Sequence, residues 1–219
     1  MKIRVFDLLV SVYVGCIAIS ELMGAKTVPI CTIGHLHLTA SVALLVVPLI
    51  FTINDVIVEV YGKERARSVV FSGLVVILLL LSMSVLATHL TPSARFAPHE
   101  AAYDIIFSNS ARIAAASLTA FALAELLDVW VFSKLRESLG KKALWLRNNV
   151  SNFAAQFVDT TVFLSLAFYA LGKPLGSNVG FLVGIIIPYR ILKCLMSILD
   201  TPLVYLGVSW LQRERSNES

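Results

Sequence analysis

The sequence predicts an all-α, polytopic membrane protein in which six transmembrane helices form a single domain over residues 1–219. Apolar residues make up 58% of the chain, and the mean hydropathy is +0.82, whereas soluble domains contain about 45–50% apolar residues. The apolar residues are collected into six runs, each near or above the ~20 residues that a helix needs to cross a membrane. Six such helices use nearly the whole chain, so we expect no separate soluble domain.

The six apolar runs differ in what they predict. The first lacks a small-residue cleavage site and is followed by further runs, so we expect a retained helix rather than a signal peptide. The second to fifth are each about one crossing long. The sixth is longer than one crossing requires and contains Pro188 and Pro202, which favours a kinked or broken helix. The runs cover residues 6–23, 38–60, 68–89, 109–132, 150–171 and 179–210.

The distribution of basic residues predicts that both termini lie in the cytoplasm, because cytoplasmic loops carry an excess of Lys and Arg. With six crossings, twelve basic residues fall on the side of the termini and four on the other. The twelve are Lys2, Arg4, Lys63, Arg65, Arg67, Lys134, Arg136, Lys141, Lys142, Arg147, Arg213 and Arg215, and the four are Lys26, Arg95, Arg112 and Lys173. Topology therefore explains the net charge of +4, and no direct binding of nucleic acid is expected.

Several kinds of chemistry lack support in the sequence. The three cysteines, Cys16, Cys31 and Cys194, form no CxxC pair and predict no redox site. His35 and His37 precede the second run without a third metal ligand beside them. The motifs of P-loop ATPases, zinc proteases and serine hydrolases are absent. We expect no catalytic residue, no metal site and no cofactor.

Carboxylates inside the apolar runs are the strongest functional signal. A charge near the centre of a bilayer costs at least ~2.5–3.5 kcal/mol, so such residues mark a polar pathway or a binding pocket. This pattern predicts a membrane protein that handles a solute. The acids that we single out on this ground are Asp55, Glu59, Glu125, Asp128, Asp159 and Asp200.

Two pairs of acids lie toward the predicted cytoplasmic ends of the second and fourth runs. Asp55 is four residues before Glu59, and Glu125 is three residues before Asp128, so each pair shares a helical face. Glu59 can instead pair with Lys63, four residues later, at the membrane interface. Asp55, Asp128 and Asp200 recur 73 and 72 residues apart, which is compatible with three related hairpins and equally with chance.

The fifth run carries the sharpest pattern. Asn149, Asn152, Gln156, Asp159 and Phe163 repeat at three- and four-residue spacing, so amides, a carboxylate and an aromatic ring share one helical stripe. Asp159 is ~13–14 Å along its helix, close to the bilayer midplane. A stripe that only hydrogen-bonds a neighbouring helix is the alternative, although such packing seldom needs a midplane acid.

The last run contains a basic residue that needs compensation. Lys193 and Asp200 are seven apart and share a helical face, so Lys193 has either a functional role or a purely structural pairing with an acid. Gly176, Gly180 and Gly184 recur every four residues, a spacing that typically marks close helix packing.

Taken together, four segments resemble the vitamin uptake transporter-like family of queuosine precursor transporters, which are bacterial inner-membrane proteins for 7-deazaguanine bases. With their loops they span most of the chain from the second helix onward, while the first helix and the loop 90–108 match weakly. The resemblance implies that the motif acids of the family fall on Asp55, Asp128 and Asp159 and its motif lysine on Lys193. Members of this family differ at the positions of Glu59, Glu125 and Asp200. The segments are PLIFTINDVIVEVYGKERAR, RIAAASLTAFALAELLDVWVFSKLRE, NNVSNFAAQFVDTTVFLSLAFY and PYRILKCLMSILDTPLVY.

The resemblance implies import of the cyano or aminomethyl deazaguanine, or of queuine, for the modification of transfer RNA. The residue chemistry fits such a base, which offers paired N–H donors to a carboxylate, acceptors to amides and a flat face to an aromatic ring. A cationic aminomethyl arm would use a second acid, Asp128 or Asp55. The predicted substrate-binding residues are Asp159, Gln156, Asn152, Phe163, Asp128, Asp55 and Lys193.

Three functional hypotheses follow. The first is a secondary importer in the bacterial inner membrane, and the second is a substrate-binding subunit of an energy-coupling factor importer, which the family distantly resembles. The third is an intramembrane enzyme, favoured only by the number of buried acids. The expected partners are a purine-like base and the lipid bilayer, with a homodimer and an energy-coupling module left open.

Overall fold

Helices make up most of the described part of the chain, which comprises residues 5–34, 36–139 and 144–192 of a computed structural model. Within these ranges a two-stranded antiparallel hairpin separates the first helix from the second. Two short 3₁₀ turns occur at Val42–Leu45 and Ala97–His99. The elements are α1 (Val5–Met23), β1 (Thr27–Ile33), β2 (Leu36–Ser41), α2 (Val47–Tyr61), α3 (Lys63–Ala87), α4 (Glu100–Leu139), α5 (Leu144–Phe168) and α6 (Leu175–Leu192).

Four of the described helices, α1, α3, α4 and α6, are long and apolar enough to cross a membrane. The 15-residue α2 and the apolar part of α5, Phe153–Phe168, are shorter than a full crossing. Large apolar side chains such as Leu79 and Leu126 are 59% and 69% exposed, which is typical of a surface that faces lipid. The predicted fold class of a mainly helical, multi-pass membrane protein is therefore confirmed. Six crossings and cytoplasmic termini stay predictions.

The second apolar run, 38–60, does not begin as a helix. Its first residues form β2. This strand pairs, across a turn at Gly34, with β1, which is rich in β-branched residues. Gly34 has a φ of +60°, a left-handed conformation that glycine adopts without a steric penalty. Pro48 lies in the first turn of α2, where proline is tolerated. The predicted span is thus a strand, a 3₁₀ turn and a short helix, and the hairpin is an addition to the predicted all-α fold.

A single glycine links α2 to α3. Gly62 has a φ of +84°, and its N–H donates to the carbonyl of Val58, so α2 ends there and the chain reverses at once. At this corner the Tyr61 ring lies 4.6 Å from that of Phe6, and the Arg65 guanidinium lies 5.5 Å from the same Phe6 ring. The start of α1 and the α2–α3 corner therefore occupy one end of the bundle.

The opposite end brings together the end of α1, the first half of α4 and the end of α5. Ser110 Oγ donates a hydrogen bond of 3.0 Å to the Leu22 carbonyl. Arg112 Nε donates to the Leu166 carbonyl at 2.8 Å, and its Nη2 donates to the Tyr169 carbonyl. Because the last carbonyls of a helix lack intrahelical donors, Arg112 caps α5.

The connection between α5 and α6 is fixed by one buried amide. Asn178 is only 3% exposed. Its Oδ1 accepts from the Ala170 N–H at 2.9 Å, and its Nδ2 donates to the carbonyls of Ala170 and Lys173 at 2.9 and 3.1 Å. All of its hydrogen-bonding groups are used within the turn, so Asn178 orders the loop that sets the start of α6.

Small residues let the helices approach closely in the core. On α4, Ala114, Ala116 and Ala120 are at most 2% exposed. Ala114 and Ala116 belong to different buried clusters, so small residues meet neighbours on more than one side of this helix. On α3, a Cβ added at Gly73 would lie 2.6 Å from the Ile17 side chain of α1. The bundle is therefore tight around the middle of α3.

The three glycines of the last run have unequal roles. A Cβ at Gly184 would lie 2.3 Å from the backbone carbonyl oxygen of His37, so α6 packs there on strand β2. A Cβ at Gly176 or Gly180 would meet none of the described residues within 4 Å. Close packing is therefore seen at Gly184, where the neighbour is a strand, and for the other two glycines it stays a prediction.

Helix α6 continues through Pro188 without a break in its assignment. The later residues of the predicted last run, including Lys193, Asp200 and Pro202, lie outside the described residues. The kink therefore stays a prediction.

Candidate functional site

A cavity of about 280 Å³, which we call the main cavity, lies inside the helical bundle. Its walls come from α1, α3, α4, α5 and α6, from the first residues of α2 and from the end of the hairpin at Ser41. Most of the wall is apolar, with Ile17, Ile50 and Leu74 among the lining side chains. Polar groups inside it are consequently few and can fix the orientation of a bound molecule.

Asp159 and Phe163 of the predicted stripe both line this cavity. They are four residues apart on α5, so one helical face presents both. Phe163 also packs against two buried clusters, one around Ile113 and one around Leu164. These contacts hold the ring between α4 and α6 at the cavity wall.

A second acid, Glu21 of α1, lines the same cavity and is 5% exposed. Its Oε1 accepts a hydrogen bond of 2.8 Å from Ser117 Oγ. Its Oε2 is buried and has no hydrogen-bond partner among the described residues. The cavity therefore contains two carboxylates, one of which offers a free acceptor.

Glu21 was missed by sequence reasoning. It lies two residues before the end of the run 6–23, a position typical of the membrane interface. Its burial is produced by contacts distant in the chain, with Ser117 of α4 as its hydrogen-bond donor. An acid inside the first apolar run was the available signal.

Two tyrosines were also missed. Tyr13 and Tyr189 are 5% and 6% exposed and line the cavity. Tyr189 of α6 and Ser41 at the end of the hairpin both line the cavity. Buried tyrosines in apolar runs resemble ordinary core residues, so the sequence gives no signal for them.

Of the remaining residues of the predicted stripe, Gln156 is the one whose side chain the structure describes. Gln156 is exposed and does not line the cavity. It precedes Asp159 by almost one helical turn, and among the described side chains of α5 those that line the cavity are Asp159 and Phe163. Asn152 belongs to α5, but its side chain lies outside the described part of the structure.

Asp128 lies in a second cavity, of about 560 Å³, together with Glu125 and Asn54. Lys63 and Arg67, at the start of α3, line the same space. Within the described residues, Asp128 Oδ1 and Asn54 Oδ1 are buried and have no hydrogen-bond partner. Polar groups of both charges thus surround this second cavity.

The two cavities adjoin, because Val70 and Phe121 line both of them. Along α4 their walls run from Ile113 to Asp128, which is about 22 Å by helical rise. A lipid hydrocarbon core is ~30 Å thick. The adjoining cavities therefore extend over most of a membrane crossing.

Two other predicted candidates, Asp55 and Glu59, line neither cavity. Asp55 and Glu59 are exposed on α2. Arg190 on α6 donates from Nη2 to the Phe157 carbonyl and to Thr161 Oγ1, each at 3.1 Å. Lys193 and Asp200 fall outside the described residues, so their predicted roles stay predictions.

No group of three or more potential metal ligands occurs in the described ranges. His37 Nδ1 is 3.1 Å from Thr32 Oγ1, a contact within the hairpin. Cys16 and Cys31 are both free. The groups that line the two cavities offer hydrogen bonds, charge and aromatic contact.

Comparison with known proteins identifies relatives. A family model described as "Putative vitamin uptake transporter" matches residues 41–207. A "Probable queuosine precursor transporter" of Bacillus subtilis is 33% identical over 141 residues, which cover 64% of this chain and 61% of the relative. A protein of the same name in Haemophilus influenzae is 34% identical over 129 residues, 58% of this chain and 51% of the relative.

The "Queuosine precursor transporter" of Escherichia coli is 32% identical over 122 residues, which cover 56% of this chain and 52% of the relative. The chain thus spans between about half and three fifths of the length of these curated relatives. No solved structure matches the chain.

These relatives are bacterial and are named as transporters rather than enzymes. Together with the four membrane-length helices, they show a multi-pass bacterial membrane protein. The family match covers more than half of the chain and includes α2 to α6. The chain therefore belongs to the vitamin uptake transporter family.

Proposed function

We propose that this protein imports a 7-deazaguanine base, a precursor of queuosine, across the bacterial inner membrane. The observation that carries the proposal is a cavity inside the bundle whose largely apolar wall holds Asp159 and the aromatic ring of Phe163. The names of the three bacterial relatives supply the substrate class. A volume of about 280 Å³, near the lower end of ~300–1,000 Å³ for ligand pockets, suits a small bicyclic base.

In this proposal Asp159 recognises the edge of the base. A carboxylate has two acceptor oxygens, and a guanine-type ring presents N1–H and the 2-amino group side by side. Such paired, charge-assisted hydrogen bonds are strong and directional. Phe163 provides a flat apolar surface for the ring, an arrangement that suits aromatic contacts.

The second cavity is the proposed inner stage of the route. Lys63 and Arg67 line it, and an excess of basic residues is typical of the cytoplasmic side. The base would pass from the main cavity, past Val70 and Phe121, into the second cavity, which is lined by Asn54 and Asp128. This direction is inward when both termini lie in the cytoplasm.

Uptake by the purified chain in liposomes tests the proposal. We expect saturable accumulation of radiolabelled cyano deazaguanine that excess guanine reduces and excess adenine does not, because adenine lacks the paired N–H donors. Absence of any binding of deazaguanine bases would overturn the proposal. Specific binding without uptake would instead indicate a binding subunit that needs an energy-coupling module, the alternative that the family resemblance raised.

Replacement of Phe163 tests the role of its ring. We expect Phe163→Leu to raise the dissociation constant of the base about fivefold, which corresponds to ~1 kcal/mol of lost aromatic contact, and Phe163→Tyr to have a smaller effect. Isothermal titration calorimetry measures both. Phe153, 73% exposed on the same helix, provides the control Phe153→Leu. Unchanged affinity of Phe163→Leu would show that the ring contributes only to packing.

A further inference from the structure

The unpartnered oxygen of Glu21 is a feature that the proposed recognition by Asp159 does not use. Glu21 is more than nine-tenths buried and lines the main cavity. Ser117 satisfies one carboxylate oxygen, while the other, Oε2, has no hydrogen-bond partner among the described residues. A carboxyl group has two oxygens, and the hydrogen bond from Ser117 uses only one of those of Glu21.

Basic side chains in the described ranges do not compensate this acid. None of them lies within ion-pair distance of Glu21. Arg112 is bonded to carbonyls at the end of α5. Arg190 is bonded to Phe157 and Thr161, and its guanidinium lies 3.8 Å from the centre of the Phe157 ring. A buried carboxylate without such a partner is costly, which makes a donor from a ligand favourable.

The surroundings of Glu21 favour a cationic donor in particular. Glu21 lies in the last turn of α1, where the partial negative charge of the helix C-terminus attracts cations and opposes anions. Tyr13 and Tyr189 line the same cavity, and the faces of aromatic rings attract ammonium groups. The C-terminus of α1 and the two tyrosines of the cavity therefore act in the same direction.

We propose that Glu21 binds a positively charged amino arm of the transported base and that the protein consequently prefers cationic to neutral deazaguanines. The inference rests on the proposed function, because it assumes that a deazaguanine occupies the main cavity. It replaces the sequence expectation that Asp128 or Asp55 meets such an arm. Asp128 lines the second cavity, and Asp55 lines neither.

Calorimetric titration of the purified full-length protein with two bases tests the inference. The aminomethyl deazaguanine carries an ammonium group, and the cyano deazaguanine is neutral. We expect the wild-type protein to bind the cationic base at least about tenfold more tightly, because hydrogen bonds between charged groups are the stronger class. Glu21→Gln should lose that preference through weaker binding of the cationic base, with the affinity for the cyano base changed less than about twofold.

Two further variants separate recognition from structure. Ser117→Ala removes the hydroxyl contact of Glu21 but keeps its charge, and it should keep the preference. Glu64→Gln changes an exposed acid at the start of α3 and should leave both affinities unchanged. Parallel loss of both bases in Glu21→Gln, or equal wild-type affinities, would overturn the inference alone. Failure of the wild-type protein to bind either base would overturn the proposed function and this inference with it.

Discussion

Replacing Asp159 by asparagine should abolish binding of the base while leaving the helices inserted and folded. The amide has the same shape, but one of its two polar groups is a donor, so it cannot accept both N–H groups of a guanine-type edge. Each hydrogen bond to a charged group contributes ~1.5–3 kcal/mol. We therefore expect the dissociation constant to rise roughly hundredfold or more in calorimetric titration.

The control for this variant is Asp7→Asn, which changes an exposed acid at the start of α1 and should bind normally. Thermal unfolding without ligand should be similar for both variants, since Asp159 is only partly buried. Normal uptake by Asp159→Asn would remove this residue from the site. A large loss of stability would assign it a structural role instead.

The second large effect is expected at Gly184. A side chain there would place its Cβ 2.3 Å from the backbone oxygen of His37, so strand β2 or helix α6 must move. Overpacking of this kind typically costs ~1–3 kcal/mol, and Gly184→Val should lower the midpoint of thermal unfolding in detergent. Because Ser41 at the end of β2 lines the main cavity, binding should weaken as well.

Gly180→Val is the matched control, four residues earlier on the same helix. A Cβ at Gly180 meets no atom of the described residues within 4 Å, so this variant should unfold at the wild-type temperature and bind normally. Equal unfolding temperatures for the two variants would contradict the close contact between α6 and the hairpin.

The parts of the fold that the sequence predicted are those with a long, uniform signal. The runs 6–23 and 68–89 predicted α1 and α3, because some 20 consecutive apolar residues are typical of membrane helices. The four-residue spacing of Asp159 and Phe163 sufficed to place them on one face, and both line the main cavity. Local periodicity is enough for such statements, since it depends only on the helix itself.

The hairpin could not be predicted in the same way. Residues 36–41 alternate apolar and polar side chains, which is a strand pattern, but the stretch is only six residues long and merges into the apolar run 38–60. The pairing of β2 with β1 and its contact with Gly184 depend on residues distant in the sequence. The burial of Glu21 has the same origin, because Ser117 of α4 is 96 residues away.

The shared wall of the two cavities has a mechanical consequence. Val70 on α3 and Phe121 on α4 line both spaces, so the partition between them is about one side chain deep on each helix. On the proposed import route, we expect this partition to act as a valve that opens by rotation of an aromatic side chain and a small helix shift rather than by rocking of half the bundle. We expect spin-label distances between α3 and α4 to change by less than about 3 Å during turnover, well below a one-turn shift of ~5.4 Å. Larger changes would show that whole helices separate. With such a valve, the rate of import would depend chiefly on how tightly the rings and aliphatic side chains around Phe121 are packed.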